Sequence, residues 1–383
     1  MKKRILISII SILILFLNVH IMGQEIQSPF FYEKGNTSIT FGGFVKLNTS
    51  VDFNGSIPSN DFRNSLMSVP SRWNNKSRFV LDPSHTRIRL KVIQKTEALG
   101  DIEFYVETDF RGTSNALRLR QAYVSFKGFI MGQTWGFMND PLALAPSVDI
   151  QGVNSRTFFR TPLIGYRLNL DNNFSLGISL ELPSVKMSTQ PGVISTNQTL
   201  PDIPLYIQYK GEGGHIKLAG VVRSMSYAVV DSESIEKELG LGAQISGSLR
   251  AAKNISFYSQ AIYGKGVARY INDLSLLNLD LVPANSNSAQ QSVQMYGISV
   301  GAKATLNENL FLSTSVSTAG LANKDDYYAD NEYFTGDYYS ASLFWTGVKN
   351  MTIAGTYIHG SRKNMNSTKG DANRIQLMVM YKW

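Results

Sequence analysis

From Ser38 the chain reads SITFGGFVKLNTSVDF, with Ile39, Phe41, Val45, Leu47, Val51 and Phe53 on one face and Lys46, Asn48, Ser50 and Asp52 on the other. A period of two over such a length predicts a β-strand with an apolar and a polar side. Similar segments recur at about 84 to 95, 101 to 111, 117 to 126, 129 to 135, 160 to 170, 173 to 182 and 203 to 210. The second half adds about 215 to 223, 239 to 249, 254 to 266, 291 to 305, 309 to 318, 337 to 345, 351 to 359 and 373 to 383. That makes sixteen, and bacterial single-chain membrane barrels have an even number of strands.

The connections alternate between very short and long. Short ones are Ala98 to Gly100, Lys127 to Gly128, Asp171 to Asn172, Gly211 to Gly214, Ala251 to Lys253, Asn307 to Glu308 and Thr346 to Asn350. Their Gly and Asn content suits tight hairpins that need positive φ. The long ones, at about 54 to 83, 112 to 116, 136 to 159, 183 to 202, 224 to 238, 267 to 290, 319 to 336 and 360 to 372, are polar. Short turns on one rim and long loops on the other predict an all-β fold, a transmembrane antiparallel up-and-down β-barrel of about 16 strands with an inward-folded third long loop.

A soluble β-sandwich also has many alternating strands, but nothing makes its short and long connections alternate. Beyond the first residues no apolar run reaches the ~20 needed for a membrane helix, and mean hydropathy is -0.10. A barrel wall hides in that average, because lipid-facing and lumen-facing residues cancel. About 16 strands leave a water-filled channel, whereas ~22-stranded active transporters need a separate plug for which this chain has no residues.

The two ends agree with export and membrane insertion. Lys2, Lys3 and Arg4 precede the apolar block Ile5 to Leu17, which reads as a signal peptide over residues 1–23. Residues 24–37 then form a short N-terminal segment and 38–383 the barrel. At the other end, RIQLMVMYKW alternates Ile375, Leu377, Val379, Tyr381 and Trp383. Tyr381 and Trp383 suit the lipid–water boundary. This ending resembles the C-terminal signal of bacterial outer-membrane proteins, which implies the barrel-assembly machinery and outer-membrane lipid as partners, and the outer membrane of a Gram-negative bacterium as the location.

Cysteine is absent, so neither disulfides nor thiolate metal sites are available. Removing the leader takes away three cations and no acid, which lowers the formal charge from +8 to +5. No nucleic-acid partner, cofactor or metal is expected, and the interest lies in where that mild excess sits.

Alternation turns Arg87, Arg89, Lys91 and Lys95 inward on the second strand, and Glu103, Glu107 and Asp109 inward on the third. A turn centred near Leu99 would set Lys91 opposite Glu107 and Arg89 opposite Asp109, and the fourth strand would bring Arg120 and Arg118 beside the same acids. Such rows brace a wall through cross-strand pairs, and their surplus cations also attract anions into a narrow channel. The alternation of the fourth strand blurs past Gln121, where a bulge would reverse its faces. Arg156 and Arg160 flank the aromatic end of the third loop and Arg167 follows on the next strand. Either that loop lies on the surface with solvated arginines, or it places guanidinium groups suited to carboxylate or phosphate in the path of solutes.

Asp325, Asp326, Asp330 and Glu332 cluster in the seventh loop without the glycine and terminal glutamate of an EF-hand, which favours a solvated acidic loop over a calcium site. His85, His215 and His359 fall on three distant strands, and no GxSxG or HExxH motif occurs, so catalysis is not expected. Passive diffusion of small polar, anionic solutes is the main expectation. An unselective general-diffusion porin is the alternative, with an adhesion or structural barrel further off.

Four pieces carry a family resemblance: GGFVKLN from Gly42, HTRIRLK from His85, GDIEFYVETDFRG from Gly100 and LRLRQAYVSFKGFIMGQTWGFMND from Leu117 to Asp140. They resemble the DcaP-like porins, a family associated with uptake of dicarboxylates and other anions. The resemblance implies a homotrimer of sixteen-stranded barrels with a constricting third loop and a basic lumen. Some members carry an N-terminal coiled coil, but only about fourteen residues separate the leader's expected cleavage point from the first strand here, without heptads.

Overall fold

The computed structural model describes residues 30–71, 76–284, 289–324 and 328–383. The signal-peptide reading, and Asp325 and Asp326 of the acidic loop, lie outside them. The strands run β1 (Phe30–Lys34), β2 (Thr37–Phe53), β3 (Arg78–Asp82), β4 (Arg87–Thr96), β5 (Gly100–Asp109), β6 (Arg118–Phe126) and β7 (Phe129–Trp135). They continue with β8 (Arg160–Asn169), β9 (Phe174–Glu181), β10 (Val193–Ser195), β11 (Ile203–Gly211), β12 (Gly214–Val229), β13 (Ser234–Ala252) and β14 (Ile255–Lys265). The last are β15 (Leu281–Pro283), β16 (Gln290–Ser292), β17 (Gln294–Asn307), β18 (Leu310–Leu321), β19 (Tyr333–Trp345), β20 (Met351–Asn364) and β21 (Lys369–Lys382).

Sixteen of these pair antiparallel, each with its chain neighbour in the barrel, and β2 closes the ring on β21 from Phe44↔Lys382 to Phe53↔Asn373. All sixteen strands expected from the two-residue period are present. The period holds because the two faces meet different media. On β2, Val45 is 54% exposed on the outside, whereas Asp52 on the inside is fully covered.

The remaining short strands decorate the barrel. β3 extends the line of β4 along β2 across a break at Pro83 to Thr86. β1 lies in the stretch expected only as a short N-terminal segment, and it folds back on β2 through a turn at Gly35, whose φ is +58°. It takes the edge of β2 just below the point where Trp383 exchanges backbone hydrogen bonds with Gly43.

Two expected long loops are the tops of tall hairpins instead. The β12–β13 ladder runs up to Val229↔Ser234 and the β20–β21 ladder to Lys363↔Lys369. Polar side chains there signal water around the strands, not the absence of strand. The other long loops fold over and into the barrel. Phe62 of the first packs edge-on against Tyr338, Asn64 donates to the Asp337 and Ser361 carbonyls, and Asp273 of the sixth accepts from the Ser65 amide and the Tyr333 hydroxyl.

Candidate functional site: the channel constriction

The third long loop, residues 136–159, enters the barrel as the sequence suggests. Its first half lies along β12 and β13, where Lys217 Nζ donates to the Asn139 carbonyl at 2.8 Å and Gln244 donates to Met138. Its middle crosses to the opposite strands, where Tyr338 donates to Asp149 at 3.1 Å and Lys46 to the Val148 carbonyl. On its way back, Asn154 donates to the Gly336 carbonyl and Thr157 to Gln244. Beyond Phe137 the loop therefore lies against the β12–β20 side, while Arg89 on β4 and Arg167 on β8 stay exposed.

That side carries the cations. The observed hairpin pairs Arg89 with Glu107 and Arg87 with Asp109, so the expected register is corrected by two residues. The cause is local: Thr96 pairs with Gly100, which centres the turn on Ala98 instead of Leu99, and each residue of displacement at a turn moves the opposing pairs by two. Lys91 consequently faces Tyr105 and reaches diagonally to Glu103 at 2.8 Å.

The fourth barrel strand, β6, does bring both arginines to the acids. Arg118 binds Asp109 in a fork (2.9 and 2.6 Å), and Arg120 bridges Glu107 at 2.7 Å and Asp109 at 2.9 Å. The register skips between Leu119 and Gln121, so Arg120 is the extra residue of a bulge. Before it Arg118 and Arg120 face inward, and after it Gln121 and Tyr123 do. Tyr123 stacks on Tyr105 with ring centroids 5.3 Å apart and donates to Glu103.

The named arginines thus separate into two kinds. Arg120 is almost covered and serves as the brace, and Arg156 is spent on the loop's own fold: its guanidinium lies 3.4 Å over the Phe158 ring and donates to the Ile150 carbonyl. Its sequence position beside the loop aromatics does not make it a lumen group. Arg89 and Arg167 form no ion pair among the described residues and are exposed; Arg167 lies 5.0 Å over the Phe137 ring. Arg160 lies 4.8 Å over Trp135, within the electrostatic reach of Arg118, Arg120 and Arg87. Six guanidinium groups (Arg87, Arg89, Arg118, Arg120, Arg160 and Arg167) stand with two carboxylates, Glu107 and Asp109, which leaves a surplus of four positive charges.

Sequence reasoning missed the groups that fix the loops. Arg374 of β21 holds Asp52 of β2 across the closing seam, with both side chains fully covered. Arg223 is held by Asp202 at 3.1 Å and Asp280 at 2.7 Å, which ties the fourth and sixth loops to the wall. Arg111 forks onto Asp61 at 2.6 and 2.9 Å. Burial opposes ionisation of Asp61, yet this partner holds its carboxyl below the usual carboxylate range. Inward parity was the available signal for Asp52, Arg223 and Arg374; their partners lie too far away in sequence to be inferred.

Asp149, at the far turn of the third loop, has the opposite balance. Burial, reinforced by the charge of Asp61, pushes its carboxyl up to about 6. A raised carboxylate binds its proton more tightly in the folded state, so stability is gained as pH falls through about 6 and lost as pH rises through it. Asp149→Asn is expected to remove that slope, raising stability at pH 7 by on the order of 1–3 kcal/mol. Urea unfolding in detergent at pH 5 and 7 checks this; equal slopes in both proteins would refute it.

A closed sixteen-strand barrel with an apolar outside, a polar inside and a loop folded into its lumen defines an outer-membrane porin. The family comparison is specific: residues 27–383 match the DcaP outer membrane protein family, and the chain belongs to it. The outer membrane channel DcaP of Acinetobacter baumannii superposes with a TM-score of 0.78 at 18% identity, over 92% of this chain and 99% of that one. The anion-selective porin from Comamonas acidovorans gives 0.59 at 12% identity, over 91% and 100%. The trimer form of OmpT from Vibrio cholerae gives 0.56 at 11%, over 91% and 100%. A comparison with curated protein sequences finds no match.

Proposed function

We propose that this porin passes small polar solutes by passive diffusion and favours anions, carboxylates among them. The observation that carries the reading is the surplus of four guanidinium charges on the β4 to β8 wall, where Arg89 and Arg167 stay exposed. Low-dielectric walls focus the potential of one sign, and exposed guanidinium forks suit carboxylates. The anion selectivity named for the Comamonas acidovorans porin, which shares the fold, is in keeping with this. No bond chemistry is involved and no cofactor or metal enters the reading.

Export by a cleaved leader, insertion through the barrel-assembly machinery, and a homotrimer belong to the same proposal. The trimeric OmpT relative in fold supports the last. Tyr381, outward and half exposed, and Trp383, whose ring lies against Gly43, sit on the short-turn rim as membrane-interface aromatics.

The purified protein is expected to form steady channels in planar bilayers whose reversal potential in a salt gradient has the sign of anion preference. A zero potential would favour the unselective general-diffusion porin, and the opposite sign would sink the anion reading while leaving the pore intact.

A further inference from the structure

The chain's His215 faces the lumen from β12 and takes no part in the cationic wall. Its Nε2 lies 3.0 and 2.9 Å from the two carboxylate oxygens of Asp140, in the first half of the third loop, and its Nδ1 lies 2.9 Å from the Ser248 hydroxyl. Ser246 donates to the same carboxylate at 2.6 Å. Below this contact a cavity of about 330 Å³, lined in part by His215, Ser248, Arg250 and Tyr258, opens beside the exposed Leu142 of the loop.

We propose that His215 is a positioning residue of the channel: through Asp140 it holds the third loop against the β12–β13 wall, more firmly when the imidazole is protonated. A neutral ring donates its one N–H to Asp140 and accepts from the Ser248 hydroxyl, whereas the imidazolium donates to both and adds a charge pair with the carboxylate. The loop sets the bore, so the strength of this contact sets how often the passage flickers. The other charged or titratable groups around it are Lys217, whose ammonium bears on Asp140, and Lys210, Glu212, Arg250 and Tyr258 around the cavity. Lys217 donates to the neighbouring Asn139 carbonyl, so it secures the same turn without reaching the imidazole's role. Asp149 is far along the loop but also responds to pH, so it is removed from the experiment.

The inference rests on the porin reading and is tested by single-channel recording of the full chain carrying Asp149→Asn, at pH 5 and 7.5. Closure events are expected to become about fivefold more frequent at the higher pH. His215→Gln, which keeps a hydrogen-bonding side chain without a titrating charge, is expected to abolish the difference, and Asp140→Asn to do the same. A flat profile in the His215 protein overturns the proposal without any further variant, as does a rise that survives in either substitution. Failure to form channels at all would instead refute the porin reading.

Discussion

Replacing Arg89 and Arg167 with glutamate is expected to erase the anion preference. The exchange turns two positive charges into two negative ones, so the surplus of four on the β4 to β8 wall falls to zero. The anion-to-cation permeability ratio should drop by at least about tenfold, and the effect should shrink at high salt as screening shortens. Both side chains are exposed and free of ion pairs among the described residues, so the barrel itself should survive. Arg120 is unsuitable for this purpose: a glutamate there would bury a third carboxylate beside Glu107 and Asp109. An unchanged reversal potential in the double variant would show that selectivity lies elsewhere.

Asp52→Ala should be the most damaging single change outside the lumen. It would strand the fully covered Arg374, which otherwise forks onto Asp52 and also donates to the Asn60 and Ser59 carbonyls of the first loop. Removing one partner of a buried pair costs about 3–5 kcal/mol, because the remaining charge has lost its compensation. The double change Asp52→Ala with Arg374→Met should recover much of that loss, a non-additivity readable from urea midpoints in detergent. Losses that simply add would show that the seam does not depend on the pair.

The contrast between these two groups of arginines explains what could be read from the chain. Strand positions were legible because a membrane barrel repeats one simple rule, apolar out and polar in, for its whole length. Parity also brought Arg118 and Arg120 to Glu107 and Asp109 correctly. Register was legible only to within a turn residue: whether the hairpin pivots on Ala98 or Leu99 is a backbone choice that hydrophobic pattern does not encode. Loop paths were the least legible, because polar loop residues have no period. Arg156 and Arg167 look alike as cations near the third loop, yet one is buried against Phe158 within the loop's own fold and the other is exposed over Phe137. Nor does a polar run distinguish a loop from a hairpin that rises into water, as at Val230 to Glu233.

The N-terminal strand β1 bears on how the ring assembles. It pairs with β2 across a turn of two residues, so that hairpin can arise as soon as both strands are made. The seam joins Asp52 to Arg374, 322 positions apart, and must wait for the last strand. Contacts of such separation are slow to form. In the interval the bonding edge of β2 would invite a strand from another chain, a common route to tangled aggregates. β1 already covers that edge from Thr37 to Phe41, leaving vacant only the length that β21 will take. A chain cut back to begin at β2 would keep every wall residue and still be expected to lose more of its yield to misassembly.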